Sequence, residues 1–170
     1  MIQRGFTIVE LIITISIMGI LLVLAVVNVT ATQVKARDDE RATDIASIAT
    51  HLESIYKTGV ENATVYNTYP TLAATTWSEP TTRAIFRDAD IKSFLAPGTT
   101  DPALSFVSAQ NSTQTTAGVL PQPRIDQYVY QPLKSDGVLC SSGSAECRKY
   151  NLYYRLEENS EIKMVTSKNQ

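Results

Sequence analysis

The feature that most constrains this chain is an uncharged apolar run, Leu11–Val34, that passes into the amphipathic stretch KARDDERATDIASIATHLESIYK, residues 35–57, which has no Gly or Pro. As a helix the run alone would span about 36 Å, enough to cross a hydrocarbon core of about 30 Å. It is too long for the 7–15-residue apolar region of an ordinary secretory signal. In residues 35–57, Ile45, Ile48, Ala49, Leu52, Ile55 and Tyr56 recur at spacings of three and four, which places them on one helix face. Arg41, Asp44, Ser47, Glu53 and Lys57 fall largely on the other faces. The economical reading is one helix of about 50 residues, apolar all round in its first half and amphipathic in its second.

Past Gly59 the pattern changes. Residues 60–124 are rich in Thr, Ala, Pro and Ser and have little period, with corners at Tyr69-Pro70, Glu79-Pro80, Pro97-Gly98 and Asp101-Pro102. A short helix is expected near Arg87–Leu95, and residues 108–118 (SAQNSTQTTAG) read as a mobile surface loop. Strand patterns follow at Asp126–Leu133, at Lys149–Glu158, where Tyr150, Leu152, Tyr154 and Leu156 alternate onto one face, and at Glu161–Thr166 after the turn Glu158-Asn159-Ser160. Short connections argue an antiparallel meander. Its inner face needs a cover, and the face carrying Ile45, Ile48, Ala49, Leu52 and Ile55 supplies one. The fold expected is α+β: a long N-terminal α-helix packed on a small C-terminal antiparallel β-sheet.

Composition removes several function classes. With 15 Lys+Arg against 17 Asp+Glu the formal charge is −2, and no basic stripe marks a nucleic-acid site. One histidine and two cysteines cannot build a Cys/His metal cluster, and the seven glycines are scattered, so no phosphate loop forms. His51, between Thr50 and Leu52, reads as a solvated helix residue with no nucleophile motif nearby. The acidic run Asp38, Asp39, Glu40 points three ways around a helix and reads as a solvated face, not a metal site. No catalytic residues, metal or cofactor are expected, and the chain is read as a non-enzyme.

Cys140 and Cys147 enclose the polar loop SSGSAE between two strand patterns. Hairpin geometry brings such a pair within bridging reach, and closing the loop is worth about 2.5 kcal/mol on the chain-entropy model. The alternatives are two free thiols or half a metal site, for which the spacing and the other ligands are wrong. A disulfide is the favoured reading, and it places this region outside a reducing cytoplasm.

Glu10 is the one charge at the edge of the apolar run, where a carboxylate entering a bilayer costs several kcal/mol, roughly 2.5–3.5 at the centre. It belongs to Gly5-Phe6-Thr7-Ile8-Val9-Glu10-Leu11, which resembles the processing motif of type IV prepilins and type II secretion pseudopilins. The resemblance covers the chain to about Lys57; beyond it only the architecture is similar. It implies a leader, residues 1–5, whose charge is Arg4, cut between Gly5 and Phe6 by a prepilin peptidase, with N-methylation of Phe6. Residues 6–34 then form the transmembrane or filament-core half of the helix, 35–58 its amphipathic half, and 59–170 a head made of the loop region 60–124 and the strands 125–166. Gly19 matches a glycine common in the family, whereas Val27 stands where many members carry a helix-breaking Pro.

The resemblance also gives Glu10 a role in assembly. Cutting after Gly5 creates a positive α-amine on Phe6, and in the family the Glu is thought to meet the amine of a neighbouring subunit. An unpaired carboxylate in an apolar bundle is costly, so a subunit docked at the wrong stagger is penalised. The implied partners are further copies of the chain in a homopolymeric filament, the prepilin peptidase, a membrane platform with an assembly ATPase, and membrane lipid before assembly. The implied location is a single-pass membrane protein with its head outside the cytoplasm, then an extracellular filament. The function expected is the major subunit of a type IV pilus; alternatives are a pseudopilin of a secretion or competence system, or a secreted binding module cut after Ala31. Asn62 and Asn111 stand in Asn-x-Thr contexts open to glycosylation.

Overall fold

A computed structural model describes residues 6–59, 67–71, 85–86, 89–141 and 146–169, without the side chains of residues 26–28. Expectations that fall on Met1–Gly5, Asn62, Glu79-Pro80 and Arg87 lie outside the described residues. Helix α1 spans Ile8–Thr58, and the chain divides into two compact units after Ala36.

In the first unit no described residue of α1 is buried: the large apolar side chains from Phe6 to Leu24 are 52–82 % exposed. Its hydroxyls turn back onto the helix, Thr14 Oγ1 donating to Leu11 O and Ser16 Oγ to Ile12 O, both at 2.8 Å. No polar group of either residue therefore asks for a partner beside the helix.

The second unit begins at Arg37. Here α1 ends with Gly59 in the left-handed region (φ 76°), where its N–H reaches Ile55 O at 2.8 Å. That positive φ is what glycine supplies without a Cβ penalty. A four-stranded sheet runs in the order β1 (Phe106–Ser108), β2 (Tyr128–Leu133), β3 (Lys149–Arg155) and β4 (Ile162–Thr166). β2, β3 and β4 pair antiparallel, with Tyr130 opposite Leu152 and Leu152 opposite Val165. β1 pairs parallel to β2, Phe106 opposite Tyr128, so the sheet is mixed where an antiparallel meander was expected. A three-residue strand carries too little alternation to be read from sequence. The helix expected near Arg87–Leu95 is a single 3-10 turn, Ile91–Phe94, started by Asp90, whose side chain accepts from Lys92 N.

Both sheet faces are covered. On one, Ile45, Ile48, Leu52 and Ile55 of α1 meet Phe106, Tyr128, Tyr130, Tyr150 and Leu152, with Ala49 and Tyr56 packed at the margin. An aromatic series crosses this layer from Phe94 through Phe106 (5.1 Å), Tyr130 (5.7 Å) and Tyr150 (6.2 Å) to Tyr69 (4.8 Å between centroids). On the other face Val129 and Tyr153 pack against Ala109 and Val119. That second cover is the segment expected to be a mobile loop, and it is tied down. Gln131 Nε2 donates to Asn111 O (2.8 Å) and Thr113 O (3.1 Å), Asn111 Nδ2 donates to Gly118 O, and Asn111 Oδ1 accepts from Leu120 N. Amide side chains do here what apolar ones do on the first face, which is why the polar composition looked unstructured.

Candidate functional site

The first site is the start of α1. Thr7 is its cap: the hydroxyl accepts from Glu10 N at 3.2 Å, and its carbonyl accepts from Leu11 N at 3.2 Å. Thr7-Ile8-Val9-Glu10 therefore has the Ser/Thr-x-x-Glu spacing of a capping box, and a carboxylate in the first turn suits the positive end of the helix dipole. The same residues satisfy two demands at once, helix initiation and a fixed place for one negative charge. Phe6 is 82 % exposed and Glu10 is exposed as well. Among the described residues no side chain bonds the Glu10 carboxylate. Gly5, the other side of the expected cut, lies outside them.

The helix behind this end is apolar and long enough to cross a membrane, with a mean hydropathy of 2.7 in its most apolar window. Its uncovered side chains and its single carboxylate are the surfaces this unit offers to something else.

The second unit holds its half of α1 by two polar fastenings, neither of them expected. Near its start, Arg41 is 1 % exposed. Its guanidinium donates to Asp38 Oδ1 (2.8 Å), to Glu157 Oε2 (3.2 Å) and to Ile125 O (2.8 Å). Asp38 also accepts the backbone N–H groups of Glu157 (2.8 Å) and Glu158 (3.0 Å), capping the β3–β4 turn. Arg37 completes the group with two bonds to the Glu157 carboxylate, at 2.8 and 2.6 Å. The hydrogen bond from Arg37, with that of Arg41 behind it, holds Glu157 down at about 2 against the desolvation that opposes it. So Asp38 and Arg41 are not a solvated face: they cross to a turn nearly 120 residues away.

About four turns further along, Glu53 is 7 % exposed and collects donors from separate segments. They are Tyr69 Oη (3.1 Å), Tyr150 Oη (3.2 Å), Lys168 N (2.9 Å) and Asn169 Nδ2 (2.9 Å). Burial, first of all, raises the Tyr69 hydroxyl to about 12 and Tyr150 higher still, so both remain donors. Between the fastenings, Tyr128 Oη donates to Asp44 Oδ2 at 2.7 Å. Partial burial pushes Asp44 up to about 6, the Tyr128 bond pulling the other way and Glu40 and Asp90 adding to the rise. A helical wheel sends Arg41, Asp44 and Glu53 to water; only partners distant in sequence could have placed them inside.

The remaining expected residues are placed as follows. Ile45, Ile48 and Leu52 are at most 1 % exposed and Ile55 is 8 %, with Ala49 half-buried beside them. Cys140 and Cys147 are bonded, Sγ to Sγ at 2.09 Å with Cα atoms 5.7 Å apart. His51 is half-buried on α1. Among the described residues no three of His, Cys, Asp and Glu gather as metal ligands.

An apolar helix with a capped, carboxylate-bearing first turn, joined to an α+β unit stapled by a disulfide, suits a membrane-anchored class of protein. Within that class, residues 1–26 match the family model described as the prokaryotic N-terminal methylation motif: the chain carries the prepilin motif of the type IV pilins and pseudopilins. No curated protein and no solved structure matches the chain.

Proposed function

We propose that this chain is the major structural subunit of a type IV pilus, with no catalytic role. It enters the membrane through Phe6–Val34, loses residues 1–5 by cleavage after Gly5, is methylated on Phe6, and polymerises through the apolar half of α1. The observation that carries this reading is the pairing of the motif with an apolar helix surface that nothing in its own unit covers. Heterologous contacts that do not close generate open filaments, and a staggered helix bundle is such a contact. Glu10 supplies the register, because its carboxylate finds a counter-charge only in the Phe6 amine of a correctly docked neighbour. The buried disulfide supports a head outside the reducing cytoplasm.

The test is intact-mass and N-terminal analysis of the exported chain. The expected product begins at a methylated Phe6, and a Gly5→Leu variant remains full-length in the membrane. A product beginning at Thr32, after cleavage at Ala31, would replace this reading with that of a secreted module. The motif serves pseudopilins of type II secretion or competence systems equally, and filaments sheared from the cell surface separate the pilin from them.

A further inference from the structure

We propose that Glu53 is a latch that closes the head onto α1 by capturing Lys168 and Asn169. A carboxylate offers about four acceptor positions. Those of Glu53 are taken by Tyr69 Oη, Tyr150 Oη, Lys168 N and Asn169 Nδ2. Half of these donors come from the segment that follows β4, 115 and 116 residues further along the chain. Ser167 is buried, with its N–H donating to Tyr150 O at 2.9 Å, whereas Lys168 and Asn169 are exposed, Asn169 Nδ2 also reaching Tyr69 Oη at 3.1 Å. Glu53 is 7 % exposed, so a carboxylate left with two tyrosine hydroxyls would be buried and under-bonded. Closed, the latch ties α1, the 67–71 segment, β3, Lys168 and Asn169 at one atom group. Open, Lys168 and Asn169 come away and the carboxylate must find water. The order of events follows, and this clause rests on the proposed export of the head: α1 is fastened here only after residue 169 has crossed the membrane.

The experiment is hydrogen exchange on the full-length chain in detergent, which needs no filament, so its failure leaves the assembly reading untouched. In the wild type the Lys168 amide should be protected by its bond to Glu53. Glu53→Gln keeps the size of the side chain but sets an N–H₂ against donors, and the Lys168 amide is expected to exchange about tenfold faster, the factor for losing one bond to a charged acceptor. The Leu152 and Tyr153 amides should keep their wild-type rates. Unchanged Lys168 exchange in a folded Glu53→Gln variant would overturn the proposal. If that variant unfolds, the decision passes to Asn169→Ala, which removes one donor and leaves the core intact. Faster Lys168 exchange with an unchanged sheet upholds the latch, and wild-type exchange rejects it.

Discussion

From Phe6 to Leu24 the large apolar side chains of α1 are 52–82 % exposed, while Asp38, Arg41, Ile45, Ile48, Leu52, Glu53 and Ile55 are at most 8 % exposed, charged ones included. In the second unit Asp38, Arg41 and Glu53 each meet partners in the same chain; in the first, an exposed Glu10 meets none among the described residues. One half of the helix is completed internally, and the other is half of something. The contrast separates residues whose loss should harm the head from residues whose loss should harm only assembly.

The sharpest way to break the contrast is Glu10→Ala. Membrane insertion should persist or improve, because a carboxylate has been removed from the apolar boundary. The head should stay folded, since no bond in the second unit involves position 10. Filament yield by shearing and microscopy should fall to nothing at normal subunit levels. Normal filaments would reduce Glu10 to a helix-capping residue.

The converse experiment is Arg41→Leu. It removes the buried guanidinium that Asp38 and Glu157 share in the β3–β4 fastening and should cost about 3 kcal/mol, read as a lower midpoint in denaturant. Any loss of filaments should follow from lost head and disappear in conditions that restore folding. A smaller effect is expected from replacing Cys140 and Cys147 together by Ser, about 2.5 kcal/mol on the chain-entropy model, with processing after Gly5 unaffected.

Smallest is the pH response of the second unit, where two carboxylates act in opposite senses. Glu157 is depressed to about 2, so its stabilisation is complete above its ordinary value near 4.5 and is lost as pH falls through about 2. Asp44 is raised to about 6, so its contribution is complete below its ordinary value near 3.8 and is lost as pH rises through about 6. Stability should therefore decline gently across pH 4 to 6, and Asp44→Asn should flatten that limb while leaving the acid limb in place. Thermal midpoints measured from pH 2 to 7 check both.

What could be read from sequence follows the same division. Periodicity gave away Ile45, Ile48, Leu52 and Ile55, because an apolar face needs only neighbours three and four residues off. Alternation located β2, β3 and β4 within a few residues, and a fixed local motif marked the start of α1. Arg41 and Glu53 were misplaced because burying a charge depends on Glu157, Tyr69 and Lys168, whose nearness is a property of the fold. The 108–118 segment was misread for a related reason: Asn111 and Gln131 fix it by hydrogen bonds, which leave no hydrophobic period. The parallel pairing of β1 is set by its neighbours alone.

The two fastenings have a mechanical consequence. Asp38 and Glu53 are set about 22 Å apart along the helix at 1.5 Å per residue. A load applied to the head along α1 is then carried at both points together, in shear, instead of peeling the head from one end. On this geometry the force needed to strip the head from its helix should drop when either Arg41 or Glu53 is replaced, and a second replacement should remove little more. Single-molecule extension, with handles on residue 58 and on β4, measures it directly.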